Sequence, residues 1–257
     1  MLASNSCDEP MGADSNPKLS FAQSDGELLP GEVHVWLANL DLEDSAVDRL
    51  SAVLDLGEQQ RAARFLVLPA RKQFVISRGF VRTVLGKYLV CDPRSVRFRV
   101  TPHGKPELAG DRGIYFNLSH TEGLAAVGIT RAGPIGIDVE STRRQVEALQ
   151  LADRFFSRKE AEWVRLQPGP MRISCFFACW TAKEAYVKAH GGGLSVPLDG
   201  FAIIPDLEKL QLQLEVFGRP AESERWSMRR LELPEEFRGA LAVEGKVSGV
   251  RTGQFEF

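Results

Sequence analysis

Between residues 96 and 140 the chain strings together four short β-type runs: VRFRV (96–100), IYFN (114–117), LAAVGI (124–129) and IGIDVE (135–140). The links between them contain Gly-Lys-Pro, Thr-Glu-Gly and Ala-Gly-Pro, which is turn chemistry. Helical patterns flank this block on both sides, and a β-rich tail follows. The order strand, helices, strands, helices, strands predicts an α+β fold.

The last of the four runs holds the most chemistry. Ile135, Ile137 and Val139 alternate with Gly136, Asp138 and Glu140. Side chains alternate across a strand, so the apolar set faces one way and both carboxylates face the other. Two like charges on one face repel unless something positive lies between them.

On the N-terminal side, residues 1–29 are rich in Ser, Asp, Asn, Gly and Pro and read as a disordered leader. VHVWLAN (33–39) predicts a first strand. Asp44 or Ser45 can cap a helix carrying Val47, Leu50 and Leu54, and a second helix starts near Glu58. Pro69 suits the first turn of a long third helix in which Phe74, Arg78, Val81 and Leu85 recur at helical spacing. From Arg61 to Lys105 there are eleven basic residues against one acid, Asp92, in a chain whose net charge is only −2. That asymmetry fits an anionic partner, a phosphorylated small molecule or a nucleic acid, and equally a solvated helix face.

After the strand block, Ser157 and Glu160 have the spacing of a capping box, and a second helix runs from about Met171 to Ala189. KLQLQLEVF (209–217) alternates strictly, with RWSMRRLEL and GALAVEG as strand partners. No apolar run approaches the roughly 20 residues of a membrane span, and the N-terminus has no basic start followed by an apolar block. Cys7, Cys91, Cys175 and Cys179 show no disulfide-framework spacing, so reduced thiols in a cytoplasmic protein are expected.

In the second helix, Trp180, Glu184 and Lys188 share a face, with Lys183 nearby. Glu184 and Lys188 alone read as an exposed ion pair. Glu184 gains interest as a third carboxylate near Asp138 and Glu140, because three oxygen ligands without His or Cys suit a hard cation such as Mg²⁺. Asn117, Ser119 and His120 of NLSH can donate to a phosphate, although a lone histidine is more often structural. Gly191–Gly193 sits at a helix C-terminus, which carries partial negative charge, so it reads as a cap and not as a phosphate loop.

Together these motifs resemble the 4′-phosphopantetheinyl transferases of the surfactin-synthetase-activating type. The matching pieces are RFxxxxxR (64–71), GKP (104–106), FNLSH (116–120), IGIDVE (135–140), RFFSRKE (154–160) and WTAKEAYVKAHGGGLSVPL (180–198), within residues 33–205. The resemblance implies an Mg²⁺-dependent enzyme, with Mn²⁺ as an alternative metal. Such an enzyme moves the phosphopantetheine arm of coenzyme A (CoA) to a serine of an apo acyl, peptidyl or polyketide carrier protein, releasing adenosine 3′,5′-bisphosphate.

Carried over by motif, Asp138, Glu140 and Glu184 would hold the metal, and Glu184 would also take the serine proton. Lys188 would stabilise the pyrophosphate. Lys105 and His120 would grip the 3′-phosphate, with Asn117, Ser119, Arg61 and Lys183 as further contacts. Glu58 departs from relatives that carry lysine there. The implied fold is a two-lobed monomer, each lobe a small, mainly antiparallel sheet packed with helices and the site in the cleft between them. Residues 30–142 would form the N-terminal lobe and 143–257 the C-terminal lobe. Two rivals remain: a non-catalytic module of the same fold that binds carrier protein or CoA, and a nucleic-acid binder using the basic helices. Neither nucleic acid nor membrane is expected as a partner, and the second rival leaves the carboxylates unexplained.

Overall fold

The structure, a computed structural model, describes residues 19–21, 27–206 and 209–257. The strands are β1 (Leu19–Phe21), β2 (Glu32–Asn39), β3 (Phe98–Val100), β4 (Pro106–Leu108), β5 (Tyr115–Thr121), β6 (Leu124–Thr130), β7 (Ile135–Ser141), β8 (Phe201–Ala202), β9 (Gln211–Leu212), β10 (Glu215–Val216), β11 (Trp226–Arg230), β12 (Phe237–Glu244) and β13 (Gly249–Phe255). The helices are α1 (Asp44–Ala52), α2 (Leu56–Ala63), α3 (Leu68–Leu89), α4 (Ala148–Phe155), α5 (Arg158–Leu166), α6 (Gly169–His190) and α7 (Pro220–Glu224).

Two sheets organise the molecule, one in the order β1-β13-β2-β6-β5 and one in the order β7-β12-β11-β9. All their pairings are antiparallel except β13 on β2. The layers follow from the alternation of side chains. Trp36 and Ala38 of β2 face α3 through Phe80, Val81 and Val84. Val33, Val35 and Leu37 of the same strand face Ile135, Ile137 and Val139 of β7 and Leu241 and Val243 of β12. Ala240 and Ala242 on the far side of β12 meet Ala182, Ala185 and Tyr186 of α6. The stack is therefore α3, first sheet, second sheet, α6, and the expected α+β class holds.

The sheets do not follow a division at residue 142. β7 lies before that point yet pairs with β12 in the second sheet, and β13 returns to run parallel to β2 in the first. Periodicity gives each strand's faces and not its neighbours, so this exchange leaves no local signal. Within the expected disordered leader, residues 19–21 form the edge strand β1 against β13 and Leu28 is buried in the core. Residues 1–18 and 22–26 lie outside the described residues.

Other differences are local. The expected strand 209–217 breaks into β9, which pairs with β11, and β10, which pairs with β8. Its alternation survives as burial of Leu212, Leu214 and Val216. The N-cap of α1 is Glu43, and α2 is closed by a capping box between Asp55 and Glu58. The capping box of Ser157 and Glu160 forms as expected.

Glu58 has a second task. Its carboxylate is buried and takes Arg82, itself fully enclosed, on Oε2 and Arg78 on Oε1, the latter with a 2.6 Å bond from Nε. Arg82 also donates to the carbonyls of Pro93 and Val96, at 2.9 and 3.0 Å. Glu58, together with Asp55, is thus a counterion that lets α3 bury an arginine, a task a lysine here could not perform.

Gly136 explains the glycine in the carboxylate strand. A β-carbon there would stand 2.0 Å from the Ala185 carbonyl oxygen and 2.5 Å from the Ala189 nitrogen of α6. Only a residue without Cβ lets the helix lie this close to β7. Gly136→Ala is expected to push α6 off the strand and destabilise the protein by about 3 kcal/mol or more. Urea denaturation checks this; an unchanged midpoint would contradict the close approach.

Candidate active site

The site forms where an edge of each sheet meets the other, β5 beside β7. Asn117, Ser119 and Thr121 alternate along β5, and each side-chain oxygen accepts one backbone N–H from β7. The donors are Ile137 (2.9 Å), Val139 (3.3 Å) and Ser141 (3.2 Å). Side chains replace the missing backbone ladder between the sheets, so the edge of β7 is satisfied without strand pairing.

These hydroxyls also fix the carboxylates. Ser119 Oγ donates to Asp138 Oδ1 at 2.8 Å, and Thr121 Oγ1 donates to Glu140 Oε2 at 3.1 Å. Lys188 reaches across from α6, with Nζ 2.6 Å from Asp138 Oδ1 and 3.2 Å from both Ser119 Oγ and the Ile137 carbonyl. Arg144, just past β7, donates to Glu140 Oε2 at 2.6 Å. The positive charges between the two carboxylates are thus a lysine and an arginine of the chain itself.

Glu184 lies one turn before Lys188 on α6 and is half-buried. Burial raises its pKa, and the negative charges of Asp138 and Glu140 add to that rise while Lys188 opposes it. Asp138 is raised above its ordinary value first by desolvation, against the pull of Lys188 and Ser119. The charges of the three carboxylates therefore act on one another. They are not drawn into a ligating cluster: among the described residues no group of three His, Cys, Asp or Glu is arranged to hold a metal ion. Each of the two on β7 has its own cation. One atom is left over. Asp138 Oδ2 is buried and has no hydrogen-bond partner. A buried carboxylate oxygen in that position, beside two further acids and no nitrogen or sulfur ligand, fits a hard divalent cation.

A cleft of about 600 Å³ opens beside these groups. Glu184, Lys188, Lys105 and Asn117 line it together with Gly104, Phe155, Leu194 and Leu198. Lys105 Nζ donates to the carbonyls of Ile135 (2.9 Å) and Lys188 (2.8 Å), and burial lowers its pKa to about 8. It pins the start of β7 to the end of α6. His120 Nδ1 faces Gln73 Nε2 of α3 at 3.3 Å. Its pKa is lowered, by desolvation and then by Lys188, while Asp138 and Glu140 oppose.

One expected nucleotide contact is turned away from the cleft. Lys183 is fully buried on the opposite side of α6, with Nζ 2.6 Å from Glu160 Oε2 and 2.8 Å from the Phe201 carbonyl. Helical geometry alone sends adjacent residues to different faces, so Glu184 and Lys183 cannot share the cleft. Arg61 is exposed on α2, its guanidinium 5.2 Å from the Phe74 ring centroid. Sequence reading missed Thr121 and Arg144. The first was legible as the third member of the N-x-S-x-T alternation; the second depends on how the turn after β7 folds back.

Comparison with known proteins gives the family. Residues 134–242 match the sequence model of the 4′-phosphopantetheinyl transferase superfamily, and 43–130 match that of a 4′-phosphopantetheinyl transferase N-terminal region. The chain is 37% identical over 225 residues to the 4′-phosphopantetheinyl transferase HetI of Nostoc sp. (strain PCC 7120), covering 85% of this chain and 90% of HetI. It is 28% identical over 156 residues to Sfp of Bacillus subtilis (strain 168), covering 61% and 68% of the two chains. With a phosphopantetheinyl transferase of Thraustochytrium sp. it shares 26% identity over 231 residues, covering 84% and 80%. On these matches the chain belongs to the 4′-phosphopantetheinyl transferase superfamily and is an enzyme of that type.

Proposed function

We propose that the chain transfers the 4′-phosphopantetheine arm of coenzyme A to the serine of an apo carrier protein, with CoA in the cleft beside Glu184 and Lys188. Asp138, Glu140 and Glu184 would hold Mg²⁺. The observation that carries this reading is the unpartnered, buried Asp138 Oδ2, next to an open cleft lined by Glu184 and by Lys188, the lysine that holds Asp138. When bound, the metal would neutralise pyrophosphate charge and help orient the group being transferred.

The chain's own residues do the rest. Glu184 is half-buried with a raised pKa, which suits a base that accepts the serine proton. Lys188, now held on Asp138, is a flexible cation within reach of the same cleft and would stabilise negative charge on the leaving phosphate. Ser119 and Thr121 hold Asp138 and Glu140 at fixed positions, and Lys105 fixes β7 against α6. Adenosine 3′,5′-bisphosphate is the co-product by mass balance.

Intact-protein mass spectrometry of apo carrier proteins incubated with this protein, CoA and Mg²⁺ tests the reading. A gain of one phosphopantetheine is expected, lost when EDTA is added. No gain on any acyl, peptidyl or polyketide carrier, with CoA bound, would instead favour a binding module of the same fold. Among the described residues no helix is long and apolar enough to cross a membrane.

A further inference from the structure

Arg144 has no role in the reaction just described, yet it occupies one of its carboxylates. The turn after β7 is closed by the Arg144 N–H on the Ser141 carbonyl (3.3 Å) and the Arg143 N–H on Ser141 Oγ (3.2 Å). This turn folds Arg144 back along the strand it has just left, so that Nη1 reaches Glu140 Oε2 at 2.6 Å. The side chain of Glu140 is 15% exposed and that of Arg144 49%. Thr121 Oγ1 donates to the same Oε2.

We infer that Arg144 is a competitor of the divalent cation, a built-in counterion whose charge the metal must overcome at Glu140. The inference rests on the proposed metal-binding role of Glu140. Lys188 cannot fill the same role cleanly, because it serves the transferred group as well; Arg144 does not line the cleft. A cation approaching Glu140 meets a fixed positive charge, and one that takes Oε2 must also break a charge-assisted hydrogen bond. With the arginine removed, the site keeps three carboxylates and loses one of its two cations, so its affinity for a dication rises. The arginine thereby holds the metal-free site together, limiting repulsion among Asp138, Glu140 and Glu184, and sets metal affinity below the value the ligands alone would give. The opposite role, in which Arg144 orients Glu140 as a ligand, predicts a fall in affinity when it is removed.

The test is a Mn²⁺ titration of the full chain followed by electron paramagnetic resonance of the free ion. Circular dichroism confirms that each variant is folded. Arg144→Gln, which keeps hydrogen-bond donors and loses the charge, is expected to tighten Mn²⁺ binding about two- to five-fold, the scale of a half-exposed ion pair. Arg144→Lys should stay near wild type, and Glu140→Gln should weaken binding at least about ten-fold. Unchanged or weaker binding in Arg144→Gln, with Glu140→Gln still weakened, would overturn the competitor role and leave the metal site standing. Unchanged binding in Glu140→Gln, or no binding by any of these proteins, would overturn both.

Discussion

Glu184→Gln is expected to lower phosphopantetheine transfer about 10³-fold while the protein stays folded. Two effects combine in that figure: loss of a base, which by itself is worth about 10²–10⁴, and loss of one negative ligand. The stability of the variant should move the other way. The folded-state pKa of Glu184 is raised, so the native protein holds its proton more tightly than the unfolded chain does. Stability from this group therefore falls as pH rises from the ordinary glutamate value through the raised one, and at neutral pH the ionised side chain destabilises the metal-free protein. Gln carries no charge at any pH. Thermal unfolding without metal at pH 7 should thus give Glu184→Gln a melting temperature at or above that of the wild type. A variant that keeps full activity would remove Glu184 from the mechanism, and one that melts well below wild type would contradict the electrostatic account of the site.

Lys183→Met is expected to cost about 3–5 kcal/mol of stability, although its neighbour Glu184 tolerates loss of charge. Both Lys183 and Glu160 have fully buried side chains. Glu160 accepts from the Ser157 N–H (2.9 Å), Ser157 Oγ (2.6 Å) and the Ile203 N–H (2.8 Å) besides the lysine. Lys183 Nζ lies 4.1 Å from the centroid of the Phe201 ring. The network joins the start of α5, the middle of α6 and β8, so it fixes the helix that carries Glu184 and Lys188. Removing the lysine leaves a carboxylate without its counterion in the core, and that uncompensated charge is the larger part of the cost. The double variant Lys183→Met with Glu160→Leu should regain a substantial part of the loss, because an apolar pair of similar size can replace a buried ion pair. Guanidinium unfolding measures both. If the single variant unfolds within 1 kcal/mol of wild type, the pair is not what anchors α6.

The alternation in IGIDVE was enough to separate the two faces of β7, and the structure keeps that separation: Ile135, Ile137 and Val139 in the core between the sheets, Asp138 and Glu140 toward the site. The capping signal S-x-x-E likewise placed α5, because a cap is satisfied within four residues. What periodicity could not show was which strands pair. The return of β13 to β2 and the capture of β7 by the second sheet depend on contacts between segments far apart in sequence, and no local pattern encodes them. The same limit governed the charged residues. Lys183 reads from sequence as a further nucleotide contact, yet it is spent on a buried ion pair with Glu160. Burial decides between these roles, and burial belongs to the tertiary structure. Asn117 and Ser119 were found for a different reason than expected: their oxygens bind the open edge of β7, and the site inherits its geometry from that seam.

The most direct test of the site is the anomalous difference density of a crystal grown with Mn²⁺ and CoA. The account places one strong peak bounded by Asp138 Oδ2, Glu140 and Glu184. Lys188 should then have left Asp138 for the pyrophosphate, and Arg144 should have left Glu140. A peak elsewhere with CoA bound, or a crystal in which Lys188 and Arg144 still hold the two carboxylates, would contradict it.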